Sequence, residues 1–213
     1  MLKIWGRISS INVRKAVWAA QEVGVPFERI DAVGTFGGTR SAEYLALNPN
    51  ALVPAMADGE GAMALQLFES NVIVRYLCAR YSPGVLYPAG LAQRFGAERW
   101  MDWQQTAMNP AGRDAFIQQI RTPAEQRDPA KVAASVAAMQ PLLQMLDQQL
   151  AQGPYLQGAQ FGMADIPLGC ELHRWWGLPD QDGSRSRYPH VARWFAALQA
   201  RPAAQGVLDL ALS

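Results

Sequence analysis

The sequence predicts an α/β domain followed by an all-α domain, and three observations predict it. Up to residue 81, short apolar runs closed by glycine or polar turns alternate with stretches of helical spacing. The segment Ser82-Pro83-Gly84, with Tyr87-Pro88 after it, then breaks the pattern. Beyond it every periodic stretch is helical, and such a change in element type argues for two domains. The expected division is residues 1–81, a linker at 82–91, and a helical domain at 92–213.

The elements follow in order. Residues 2–6 form a short apolar run ended by Gly6, which reads as a buried strand. After the polar turn 7–12, Val13, Ala16, Val17, Ala20 and Val23 recur at helical spacing, and Gly24 supplies the stop. Residues 27–32 read as a second strand, which makes the first three elements a parallel crossover. A glycine-bearing loop, 34–39, leads to a short helix over 41–47. Residues 55–58 and 62–67, joined by Gly59-Glu60-Gly61, read as a hairpin, and Ser70 opens a helix that runs to Tyr81. In the second half Val132, Val136, Met139, Leu143, Leu146 and Leu150 form one apolar stripe, with Pro141 off the stripe and expected to kink the helix. A last helix begins at Pro189, turns Val191, Trp194 and Leu198 inward, and ends before Pro202.

Composition narrows the function. With 213 residues, half of them hydrophobic, folding buries roughly 70% of the unfolded surface without staples. The net charge is +1 and scattered. The densest basic stretch, Arg185 and Arg187 in a polar loop, carries no interleaved aromatics, so neither nucleic acid nor a membrane surface is an expected partner. Cys78 and Cys170 each sit in an apolar helical pattern and read as small buried hydrophobes in a reducing, cytoplasmic setting. With only His173 and His190, no metal site is expected. The first residues lack a signal-peptide pattern, and no apolar run is long enough to span a bilayer.

Three features of the first half carry chemistry. The turn Arg7-Ile8-Ser9-Ser10-Ile11-Asn12 leads straight into a helix, where hydroxyls can cap free N–H groups or the helix dipole can favour an anion. Val53-Pro54 precedes a strand, and a cis bond there would leave main-chain groups free to pair with an extended peptide. Glu69-Ser70-Asn71 marks a strand-to-helix handover. With Ser70 as N-cap, free amides suit a carboxylate and Glu69 suits an ammonium; the plain reading is a capped helix.

In this order and spacing the features resemble the cytosolic glutathione transferases, of the bacterial theta- or nu-like serine/asparagine type. The resemblance is carried by Ile4-Trp5-Gly6-Arg7, residues 9–15, Asn48-Pro49-Asn50, Val53-Pro54 and residues 68–77 in the first half. In the second half it is carried by residues 98–103, Ala164-Asp165-Ile166-Pro167, Tyr188-Pro189-His190-Val191, Arg193-Trp194 and Arg201-Pro202. It implies a thioredoxin-like N-terminal domain, a helical-bundle C-terminal domain, glutathione as co-substrate and a symmetric homodimer.

By that resemblance Ser10 or Asn12 donates to the glutathione sulfur, and counting back from Gly24 favours Ser10 over Ser9. Val53 matches the residue whose main chain pairs with the cysteinyl backbone, Pro54 the family's cis-proline, and Glu69 with Ser70 the γ-glutamyl clamp. Asp165 matches the acid of a helix-capping motif whose hydroxyl half is replaced by Gly162. Leu52 stands where relatives hold the glycine carboxylate with a basic or amide side chain; Arg40 or Thr39 is the candidate replacement. Position 10 is not cysteine, which argues against mixed-disulfide chemistry. Trp103, Met108 and Phe116 are candidates for the pocket of a small hydrophobic electrophile. The expected activity is transfer of glutathione to such an electrophile. The alternatives are disulfide or peroxide reduction through the same thiolate, and a binding protein that keeps only the fold.

Overall fold

The computed structural model describes residues 1–32, 36–179 and 183–213. The chain forms two compact units, Met1–Ala89 and Gly90–Ser213. Residues 34 and 35 of the glycine-bearing loop lie outside the described residues.

The first unit is a four-stranded mixed sheet in the order β2-β1-β3-β4: β1 Leu2–Trp5, β2 Phe27–Ile30, β3 Ala55–Asp58 and β4 Leu65–Phe68. β1 pairs parallel with β2, and antiparallel pairs join β1 to β3 and β3 to β4. Three helices accompany the sheet: α1 Ile11–Glu22, α2 Ala42–Leu47 and α3 Ser70–Tyr81. This is the predicted thioredoxin-like arrangement. Strand alternation gives the sheet two buried faces. Leu2 and Ile4 are buried on one, while Trp5, pointing the other way, packs with Ala32, Tyr44, Leu47, Val53 and Ala55. Burying one side chain the size of Ile4 contributes about 1.5–3 kcal/mol. Two tyrosines tie α3 to β3, since Tyr76 and Tyr81 both donate to Asp58 Oδ2, at 2.7 and 2.5 Å.

The hairpin differs from the sequence reading in one respect. Residues 62–67 do not form one strand, because Gly61–Met63 make a 3₁₀ turn and β4 starts only at Leu65. The physical reason is the glycine pair, with Gly59 at φ 115° and Gly61 at φ 58°, which gives the chain a wider loop than a tight two-residue turn.

The second unit is all helical: α4 Leu91–Trp103, α5 Asn109–Phe116, α6 Pro129–Leu150, α7 Asp165–Trp176, α8 Ser184–Arg187 and α9 Pro189–Gln199. α6 continues through Pro141 as a single helix and buries Met139, Leu143, Leu146 and Leu150 along the predicted stripe. The stretch holding Arg185 and Arg187 is the short helix α8 rather than a loop. Arg185 is bound to the carbonyls of Trp176 and Leu178 at the end of α7, a C-capping role.

A side chain from elsewhere satisfies the start of α9. Asp147 on α6 accepts from the N–H groups of His190 and Val191 at 2.8 and 3.0 Å, capping α9. Asp165, fully buried, accepts from Gly162 N at 2.9 Å, Leu156 N at 3.2 Å and Trp194 Nε1 at 2.8 Å. Burial pushes its carboxyl up to about 6 against the pull of these donors and of Arg201. The carboxylate makes its own half of the capping motif with the Gly162 N–H, the Asp165 N–H that a cap hydroxyl would take donates to Gly162 O at 3.0 Å instead, and the same carboxylate reaches α9 through Trp194.

A second buried polar cluster went unread in the sequence. A π-helical turn, Gln104–Met108, carries Gln104 inward, where its Nε2 donates to Glu171 Oε2 at 2.7 Å. Glu171 also pairs with Arg174, which donates to Asn109 O at 3.1 Å. Replacing Asp165 by alanine orphans three N–H donors in the core, so the variant is expected to lose about 3–5 kcal/mol at neutral pH. Urea unfolding measures this.

Candidate functional site

The site grows from Gly6. Its φ of 142° and its surroundings admit no side chain, since a Cβ would lie 2.4 Å from Val13 Cγ2 and 3.0 Å from Val53 Cβ. This close approach gathers the end of β1, the start of α1 and the loop before β3 at one point. β2 holds the glycine from both sides, with Gly6 N–H donating to Ile30 O at 2.8 Å and Arg29 Nη1 donating to Gly6 O at 3.0 Å.

From there the polar turn runs into α1. Ser10 is the N-cap residue, extended at φ −77° and ψ 124°, yet its side chain makes no capping hydrogen bond. Its hydroxyl is therefore not spent on capping the helix. Asn12 lies in the first turn, and its Oδ1 accepts from Ser70 Oγ at 3.2 Å across 58 positions of sequence. The turn and first helical residues carry Arg7, Arg14 and Lys15 and no acid. Asp31, at the end of the neighbouring strand, is paired with Arg29. Arg7 Nε is buried with no hydrogen-bond partner among the described residues. The Arg7 cation and the positive end of the helix dipole thus both lie at the turn before α1.

The loop before β3 is held by two side chains, Asn48 and Tyr44. Asn48 donates through Nδ2 to Leu52 O at 2.8 Å and accepts at Oδ1 from Asn50 N at 3.0 Å. Tyr44, whose hydroxyl burial pushes up to about 12, adds a 2.6 Å hydrogen bond to the same Leu52 carbonyl. This explains the Asn48-Pro49-Asn50 motif: it fixes the backbone that delivers Val53. The Val53–Pro54 bond is cis. The β3 ladder begins only at Ala55, so the main chain of Val53 lies beyond the paired part of the sheet. Leu52 points out, 64% exposed, and Arg40 is also exposed, immediately before the Ser41 cap of α2.

The β4-to-α3 handover corrects the sequence reading by one residue. Glu69, not Ser70, is the N-cap, with φ 70° and ψ 109°, and Ser70 is the first helical residue. A non-glycine residue in that region costs of order 1–3 kcal/mol and persists where a site demands it. Ser70, 3% exposed, reaches back to Asn12 through its side chain. The structure so joins two predicted features that the sequence left separate. No sequence signal linked them.

The pocket candidates fare differently. Met108 is fully buried, Phe116 is 6% exposed beneath Arg121 and Arg174, and Trp103 is half-buried edge-on to Trp100 at 5.1 Å. Neither cysteine forms a disulfide, both are buried, and burial pushes the Cys78 thiol up to about 12. Among the described residues no group of three His, Cys, Asp or Glu side chains could hold a metal ion, and no helix is long and apolar enough to cross a membrane.

Comparison with known proteins places these features in context. Residues 1–79 match the family described as glutathione S-transferase, N-terminal domain, and residues 129–197 its C-terminal domain. Glutathione S-transferase GstB of Escherichia coli K12 is 36% identical over 213 residues, covering 100% of both chains. The theta class glutathione S-transferase of Xanthomonas axonopodis pv. citri, solved with glutathione bound, superposes with a TM-score of 0.91 at 44% identity, covering 100% of this chain and 99% of that one. A glutathione transferase of Burkholderia graminis, solved with two glutathione molecules per subunit, gives 0.86 at 28% identity over 98% and 87%.

Gly6→Ala tests the geometry. Crowding against Val13 and Val53, added to the unfavourable backbone, is expected to cost about 2–4 kcal/mol, read as a lower urea midpoint.

Proposed function

The chain belongs to the glutathione S-transferase family, and we propose that it ionises the thiol of glutathione at the start of α1 and directs the sulfur at a small hydrophobic electrophile. It is a glutathione transferase; the residues that do the work are our reading. The observation that carries it is the Ser10 hydroxyl, which stands at a helix N-terminus and is not used to cap it.

The energies suffice. A free thiol of pKa near 8.5 is only about 3% thiolate at pH 7, and lowering that pKa by two units takes roughly 2.7 kcal/mol. One charge-assisted hydrogen bond contributes about 1.5–3 kcal/mol, and the helix N-terminus about 0.3–1 more. Ser10 and Asn12 as donors therefore reach the required size without a general base.

The remainder of the tripeptide follows from the same frame. The cysteinyl backbone pairs with the main chain of Val53, next to Pro54, as an added strand. The γ-glutamyl end lies at the head of α3, its carboxylate on the Ser70 N–H and its ammonium toward Glu69. Arg40 is assigned to the glycine carboxylate, since Leu52 offers no donor. For the electrophile, Trp103 is favoured over Met108 and Phe116 because it alone of the three keeps substantial exposed surface. A homodimer in the cytoplasm completes the reading. Supporting it are apolar side chains left exposed on each unit, among them Leu65, Phe68, Leu91 and Phe95, and two buried thiols that form no disulfide.

A second reading is reduction of disulfides or peroxides through bound glutathione, supported by the Burkholderia graminis relative with its two glutathione molecules. Assaying an aryl halide beside a small disulfide separates the two. With the halide, Ser10→Ala and Asn12→Ala are each expected to lower kcat/KM about 10- to 100-fold. Full activity in the doubly substituted protein would refute the assignment.

A further inference from the structure

Arg7 is a cation without an acceptor among the described residues. It is half-buried, its Nε is enclosed with no hydrogen-bond partner, and no ion pair among those residues includes it. The acceptors nearest to it in the chain are already engaged. Gly6 O accepts from Arg29 Nη1 at 3.0 Å, Arg7 O from Ser10 N at 3.1 Å, and Ile8 O from Arg14 Nε at 3.0 Å. Ser10 O accepts from Arg14 N at 3.0 Å, and Asp31 is paired with Arg29. Enclosed polar groups are as a rule partnered within the protein, so a guanidinium left without an acceptor beside a candidate site points to a ligand.

The backbone fixes where this cation stands. Arg7 N–H donates to Ala32 O at 3.2 Å, and the Ser10 N–H returns to Arg7 O, which closes a turn on the residue proposed to hold the sulfur. The ends of such a turn lie within about 7 Å of each other. The long arginine stem therefore commands the space from which a second reactant approaches the sulfur. Of the Arg7 nitrogens only Nε is enclosed, so the two Nη groups remain open to that space. Both carboxylates of the tripeptide have been assigned elsewhere, to the head of α3 and to Arg40.

We propose that Arg7 is a specificity-determining residue for the electrophile, binding a carboxylate that the electrophile carries near the carbon under attack. This rests on the reading that the sulfur lies at the start of α1. The planar fork of a guanidinium matches the two oxygens of a carboxylate, which a neutral acceptor lacks. With an aryl halide the sulfur–carbon bond forms, the carbon–halogen bond breaks, and the halide leaves with the electron pair. Arg7 takes part in neither bond and holds only the carboxylate.

The test compares a chloronitrobenzoate with its carboxamide, two halides of matching shape and different charge. Any effect of Arg7 on the sulfur is common to both and cancels in the ratio of their kcat/KM values. Arg7→Gln is expected to lower kcat/KM for the benzoate about 10- to 100-fold more than for the carboxamide, chiefly through KM. Arg7→Lys is expected to fall between the two, because it keeps a charge and loses the fork. The proposal is overturned if the ratio stays within about twofold of wild type in the folded variants, whether both activities fall together or neither falls. Should Arg7→Gln not fold, Arg7→Lys against wild type decides by the same ratio. If the wild type gives no heat with glutathione and converts neither halide, the reading of the sulfur site fails and this proposal with it. That outcome is seen before any variant is made.

Discussion

Gly6 permits an approach that no other residue would allow, and the candidate site is arranged around it. The residue following β1, the first turn of α1 and the loop carrying Val53 converge where a single methyl group would collide with both Val13 and Val53. Because β2 fixes the glycine through its N–H and through Arg29, the convergence is part of the sheet rather than a property of a loose turn. The turn that follows is consequently set in place, and Ser10 and Asn12 are set with it.

Electrostatics then give that place a sign. Arg7 lies in the turn, its Nε buried with no hydrogen-bond partner among the described residues, and Asp31 is paired with Arg29. Backbone N–H groups at the start of α1 point the same way. The proposed occupant is an anion, with a hydroxyl and a carboxamide at the start of α1 as its proposed short-range donors. The strained Glu69 brings the head of α3 to the same neighbourhood through the Ser70–Asn12 hydrogen bond. A site assembled from two helix starts and one strand end can hold an extended peptide whose sulfur and α-carboxylate are both negative.

Much of this was legible in the sequence. Strand and helix periods gave the order of elements in the first unit, since each short run has its own turn residues, and the helical stripe of α6 was plain despite Pro141. The polar turn, Val53-Pro54 and Glu69-Ser70 were recognisable as separate features. What failed to show were relations across the chain. The Ser70–Asn12 hydrogen bond spans 58 residues and uses two common polar side chains with no local pattern. The Gln104–Glu171–Arg174 cluster is equally silent, because burial of charge depends on packing that periodicity does not encode. The start of β4 was misplaced because Ala62, Met63 and Ala64 are as apolar as a strand, while the flanking glycines send them into a 3₁₀ turn. Asp165 was read as half a cap. In the fold it is a node that joins three segments.

The most direct test is a spectroscopic titration of glutathione bound to the wild-type protein, following thiolate absorbance against pH. If the start of α1 stabilises the sulfur anion, the bound thiol ionises about two units below the ordinary value near 8.5. A bound thiol that titrates like the free tripeptide would contradict the account at its centre.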